Sequence, residues 1–162
     1  MDSTGPSEGS AVARQLGQAL LLVALAGFVD AIGYLALSGL FVSFMSGNST
    51  QFAASLASGD TAAAVSAALL IVLFLAGVAS GALLVEIGPR FASAGILAGE
   101  SVLICAVVVT ARDGVTVVHL LPLAFAMGAQ NNLRQAVAGT TLGSTFVTGA
   151  LVSTGQGLAR HL

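Results

Sequence analysis

Apolar runs of bilayer length follow one another along almost the whole chain. Residues 15–37, 40–58, 61–87, 91–111, 115–136 and 143–160 are each dominated by Leu, Val, Ile, Ala and Gly. A helix crossing a membrane needs about 20 such residues, so the pattern predicts an all-α protein, a polytopic transmembrane helix bundle of about six spans. Only tight turns are left between the runs, such as Ser58-Gly59-Asp60, Gly88-Pro89-Arg90 and Arg112-Asp113-Gly114. Asp60 is placed to cap the third helix, and Pro89 fits a helix stop. The second and sixth runs are the least apolar and are the two expected to be broken or re-entrant. Such backbone is tolerated at membrane depth only where it faces protein or water.

Ahead of the first run, residues 1–12, beginning MDSTGPSEGS, are polar and show no apolar period. They read as a disordered tail, leaving 13–162 as one transmembrane helical domain. Arg14 with the run behind it has the outline of a signal peptide. That run is long, holds Asp30 and lacks a small-x-small cleavage site, so an uncleaved first span is expected.

Composition points the same way. Charged residues are 7% of the chain and hydrophobic ones 56%, against about 25% charged in a soluble domain. Most of the surface must therefore face lipid. There is no lysine, and the five arginines (Arg14, Arg90, Arg112, Arg134 and Arg160) stand at or near the ends of apolar runs. With a net charge of −2, nothing argues for a nucleic-acid partner. With a cytoplasmic N-terminus and six full spans, three arginines fall inside and two outside, a weak lean toward that orientation. The single cysteine, Cys105, can form neither an intrachain disulfide nor a metal cluster. Two G-x-x-x-G spacings, Gly77 to Gly81 and Gly95 to Gly99, let helix backbones approach; packing within the chain is the expected use.

The polar interruptions are where chemistry is to be sought. Asp30 lies in the middle of the first run, where an ionised carboxylate costs about 3 kcal/mol, so it should face the bundle interior. Gly27, Asp30 and Tyr34 share one helix face. Ser46, Gly47, Asn48, Ser49, Thr50 and Gln51 are six consecutive small or polar residues: either a broken helix with ligand-binding groups or a wet loop. Gln130 and Asn131, with Asn132 and Arg134, cluster near the end of the fifth run. There the amides could bind a ligand or cap the helix, and Arg134 could pair with an anion or reach the interface. Glu100, Glu86 and His119 are secondary, and Pro122 marks a kink candidate. No hydrolase, phosphate-loop or metal-cluster motif is present, so neither enzyme, cofactor nor metal is expected.

A weak internal repeat joins these interruptions. Asp30-Ala31 pairs with Gly128-Ala129 and Leu35 with Leu133. After a four-residue insertion Phe44, Ser46 and Gly47 pair with Phe146, Thr148 and Gly149, and Leu56-Ala57 with Leu158-Ala159. The expectation is one shared site of Asp30, Tyr34, Ser46, Gly47, Asn48, Gln130, Asn131, Thr148 and Gly149. With all six segments crossing fully, the two copies share one orientation; a re-entrant segment changes that.

Four spaced blocks, Val29-Asp30-Ala31, Met45 to Asn48, Gly128 to Asn131 and Thr148-Gly149, resemble the YoaK family (domain of unknown function 1275) of bacterial integral membrane proteins. The resemblance covers nearly all of the chain after the tail. It implies a multi-pass inner-membrane protein, often regarded as a small-molecule transporter, with no settled substrate. Relatives continue past the Thr-Gly helix with further apolar helices, so a truncated or short member is expected. The working expectation is a transporter or exporter of a small polar or ionic solute, proton- or cation-coupled through Asp30. The alternative is a non-transporting membrane scaffold; an intramembrane enzyme is a distant third. The partners implied are the lipid bilayer, the solute and a second copy of the chain in a homo-oligomer.

Overall fold

The computed structural model describes residues 6–138. Over them the chain forms five helices in the order α1 (Pro6–Ala36), α2 (Met45–Ser58), α3 (Thr61–Ile87), α4 (Pro89–Thr110) and α5 (Val117–Ala138), and no strand occurs among the described residues. The sixth run, at 143–160, lies outside the described residues.

Two of the helices, α3 and α4, are long and apolar enough to cross a membrane. α3 carries apolar residues on every side. Leu70, Phe74 and Gly77 face the core, while Val72, Leu75 and Leu83 are exposed. A helix apolar all round is a buried or lipid-facing one, and a soluble monomer seldom exposes such a continuous apolar surface. Asp60 accepts a hydrogen bond from the Ala63 amide at 3.0 Å and so caps α3. Gly59, in the left-handed region at φ 79°, ends α2. Pro89 follows the Gly88 C-cap that ends α3, where a helix stop belongs, and also opens α4; at the first turn of a helix its missing N–H costs nothing. α1 begins at Pro6, inside the stretch whose composition reads as a tail.

α3 and α5 form the centre of the bundle and run parallel, with Gly77 against Phe125 and Gly81 against Ala129. A methyl group at Gly77 would run into the Phe125 carbonyl, and one at Gly128 into that of Phe74. Close approach is therefore built into the pair, and the Gly77–Gly81 spacing serves packing within the chain. Gly95 and Gly99 instead line an open cleft between α4 and the α3–α5 pair, with nothing within 4 Å of where a β-carbon would stand. α4 runs antiparallel to α5, because Leu103 and Phe125 line one cleft and Ile96 clusters with Ala129 and Leu133. α1 is also antiparallel to α5: Gly33 lies beside Leu120, and Leu22 packs on the Ile96–Ala129–Leu133 cluster.

The second run is interrupted, as its low apolarity predicts, but the break falls at 37–44 rather than at the polar residues. A helix over 40–58 would be long enough to span, but α2 starts only at Met45 and has 14 residues, about 21 Å. After α1 the chain turns through Ser38 (φ 53°) and Gly39 (φ 106°), both left-handed, and runs back down the side of α1. Leu40 and Val42 pack at Gly33, and Val42 and Ser43 reach Asp30. α2 then climbs back, Asn48 beside Phe41 and Gln51 beside Gly39. It leaves at the end where α1 finished, since Leu37, Ser38, Ser55, Asp60 and Val117 line one cleft. The segment 38–58 thus enters and leaves the bundle at the same end. As a consequence, the similar blocks around Asp30 and Gly128 lie on antiparallel helices rather than sharing the orientation that six full spans would give.

This topology predicts an accessibility pattern that six full spans do not. In a Cys105→Ser background, single cysteines at Ser38, Asp60 and Asp113 should all be labelled from the same side of the membrane. Labelling of position 38 from the side opposite to 60 and 113 would rule the hairpin out.

Candidate functional site

Asp30 stands two turns before the end of α1, where its carboxylate meets the descending non-helical segment of the hairpin. Oδ1 accepts from the Val42 amide at 2.7 Å and the Ser43 amide at 2.6 Å, and Oδ2 accepts from the Ser43 hydroxyl at 2.7 Å. From the other side Asn48, fully buried on α2, grips both backbone polar groups of Phe41. Its Oδ1 accepts from the Phe41 amide at 2.8 Å, and its Nδ2 donates to the Phe41 carbonyl at 2.7 Å. Gln51 donates to the Gly39 carbonyl at 3.2 Å. Three side chains from two helices therefore hold 39–43 in place of the intrahelical bonds that this stretch lacks.

The same geometry explains why the helix restarts where it does. Asp30 and Asn48 occupy the amides of residues 41–43, and α2 begins two residues later. Its N-cap is Phe44, which makes no side-chain capping bond. The polar run beginning Ser46-Gly47-Asn48 is thus the first turns of α2 rather than a break within a helix. Gly47 is required by the aromatic rings stacked over it. A β-carbon there would collide with Phe41 and Phe44, whose rings meet edge to face at 5.1 Å. Tyr34, one turn above Asp30, sets its ring 5.3 Å from Phe41. Ser46 is exposed, and its carbonyl accepts from the Thr50 hydroxyl.

Gln130 belongs to a different cluster. Its Nε2 donates to both carboxylate oxygens of Glu100, at 3.0 and 2.9 Å, and both residues are buried. The Gln130 Oε1 has no hydrogen-bond partner. Matching Gly33 with Leu120 across the antiparallel pair sets Asp30 level with residue 123, about 10 Å along α5 from Gln130. The structure therefore brings Asp30, Tyr34, Gly47 and Asn48 around one loop, with Ser46 at its rim, and places Gln130 at a second polar site with Glu100. Asn131 is half-buried on α5. Asn132 donates to the Val78 carbonyl at 3.0 Å and ties α5 to α3. Thr148 and Gly149 lie outside the described residues. Among the described residues no group of three or more metal-ligating side chains occurs.

Two residues outside the expected shared site complete these clusters. Ser43 supplies two of the three bonds to Asp30, and its only signal is a hydroxyl inside the apolar run Leu40-Phe41-Val42. Glu100, ranked secondary, is the partner of Gln130; a lone carboxylate in the middle of an apolar helix was the available sign.

Removing a hydrogen-bonding partner leaves buried polar groups unmatched, at about 1–3 kcal/mol each. Asp30→Ala should therefore lower unfolding stability by about 2 kcal/mol or more, and Asp30→Asn by clearly less, because an amide oxygen can still accept from the loop. Asn48→Asp should be worse than Asn48→Ala, since it sets a carboxylate oxygen against the Phe41 carbonyl. Thermal or denaturant unfolding in lipid nanodiscs gives the order; Asp30→Ala as stable as wild type would contradict it.

Comparison with known proteins adds a lineage. The family model described as "Protein of unknown function (DUF1275)" matches residues 18–162. The UPF0700 transmembrane protein of Rhizobium meliloti (strain 1021) is 38% identical over 152 residues, an alignment covering 91% of this chain and 64% of the relative. The chain thus spans just under two thirds of the length of that relative. No solved structure matches.

Proposed function

The chain belongs to the DUF1275 family of membrane proteins, and we propose that it forms the membrane-embedded core of a multi-pass, inner-membrane transporter for a small polar or ionic solute, with the hairpin 38–58 lining the solute path. The observation that carries this reading is the hairpin itself: a helix end, a descending extended segment held by side chains, and a half-helix that starts beside Asp30. Discontinuous helices whose ends converge inside the bundle are how secondary transporters build substrate and ion sites.

The antiparallel setting of α1 and α5 supports the same reading. The block around Asp30 and its echo around Gly128 run in opposite directions, the relation of inverted repeats, whose interface is where transporters bind their cargo. Asp30 is the carboxylate through which proton or cation movement would be coupled. Gln130 with Glu100, at another depth, would be a second polar station on the path. Because the relative is longer, a pathway completed by further helices or by a second copy of the chain is part of the proposal.

A second reading is favoured by one specific observation. Both Asp30 oxygens are already engaged within the hairpin, as a purely structural latch in a membrane scaffold would require.

Reconstituted proteoliposomes separate the two readings. Under the transport reading, imposing a solute gradient drives a change in lumenal pH or in labelled solute, and Asp30→Asn abolishes it in protein that still folds. Wild-type flux in Asp30→Asn would remove Asp30 from coupling. Absence of flux for any solute with the complete-length relative would favour the scaffold.

A further inference from the structure

We propose that the surface around the Asp30 latch binds an organic cation, a quaternary or substituted ammonium group. The inference rests on the solute-path reading and gives it a substrate class.

Charge comes first. The three groups that donate to Asp30, two backbone amides and the Ser43 hydroxyl, are all neutral, and no arginine among the described side chains pairs with it. Both of its oxygens are engaged, but among the described residues no positive side chain cancels its negative charge. The N-terminus of α2 offsets about half a charge at most, so the region keeps a net negative field. An anionic solute is disfavoured there, and a cation is favoured.

The aromatic groups decide what kind of cation. The dipeptide that Asp30 grips is flanked directly by Phe41 and Phe44, and Tyr34 lies one turn along the same helix face. The three rings form a chain with centroids 5.3 and 5.1 Å apart. Gly47 lies beneath Phe41 and Phe44, where a side chain would displace both, so their placement is part of the build. Tyr34 is 50% exposed and Phe44 43%, leaving ring surface free for a ligand. Aromatic faces beside a carboxylate suit a cation that is greasy and weakly hydrated, the combination that aromatic cages use for quaternary ammonium groups. Asp30 is not part of any group of three or more His, Cys, Asp or Glu side chains among the described residues, the set a divalent metal ion would favour.

The chain supplies its own reporter. It has no tryptophan, and Tyr34 is its single tyrosine, so intrinsic emission of the protein in a non-aromatic detergent comes from the proposed site. Choline should change Tyr34 emission saturably, and its uncharged carbon isostere 3,3-dimethylbutan-1-ol should be at least about tenfold weaker. Asp30→Asn should weaken choline about tenfold, and Phe44→Leu, which keeps the apolar bulk and loses the π face, by several-fold. Equal titration by choline and its isostere, or wild-type choline affinity in both variants, would overturn the proposal. Choline binding without choline flux in proteoliposomes would leave this proposal standing and count against transport. Flux of another solute with no saturable choline response would do the reverse.

Discussion

A backbone that leaves helical form inside a membrane must find partners for its amides and carbonyls, because hydrocarbon offers none. The fold depends on how 39–43 meet that demand. Asp30, Asn48 and Gln51 between them satisfy the amides of Phe41, Val42 and Ser43 and the carbonyls of Gly39 and Phe41. Two consequences follow from those bonds. The chain turns back beside α1 and leaves at the end where α1 finished, and every later described helix runs in the direction opposite to that of a six-span bundle numbered from the same first helix. The close, glycine-mediated pairing of α3 and α5 then supplies the rigid wall against which α1 and the hairpin sit.

The long elements were legible because their signal is additive. For α3 the run 61–87 coincides with the helix, since its apolar length and the cap at Asp60 both speak locally. α4 and α5 are placed to within two residues at each end. The stretch around Asp30 and Phe44-Met45-Ser46-Gly47 stood out as the organising one because a carboxylate and a polar run are conspicuous in apolar surroundings.

What could not be read is equally physical. Residues 40–44 are apolar enough to pass as helix; what stops them is a set of side-chain to backbone bonds between residues 7 to 13 apart, which has no periodic signature. The polar run looked like a helix break, yet it is a helix start, because composition does not distinguish freed amides at an N-terminus from those at an interruption. Gln130 was expected beside Asp30 on the argument that buried polar groups seek one another. The argument holds, but the partner it finds is Glu100, one helix away and at another depth. Where two polar groups are available, only the helix directions decide which are paired, and those directions were themselves set by the hairpin.

The most direct measurement of the central claim is amide hydrogen exchange at Val42 and Ser43 in detergent-solubilised protein. If the Asp30 carboxylate holds the hairpin, both amides exchange slowly in wild type, and Asp30→Ala exposes them while the amides of α3 keep their protection. Rapid exchange of both amides in wild type, or protection unchanged by Asp30→Ala, would contradict it.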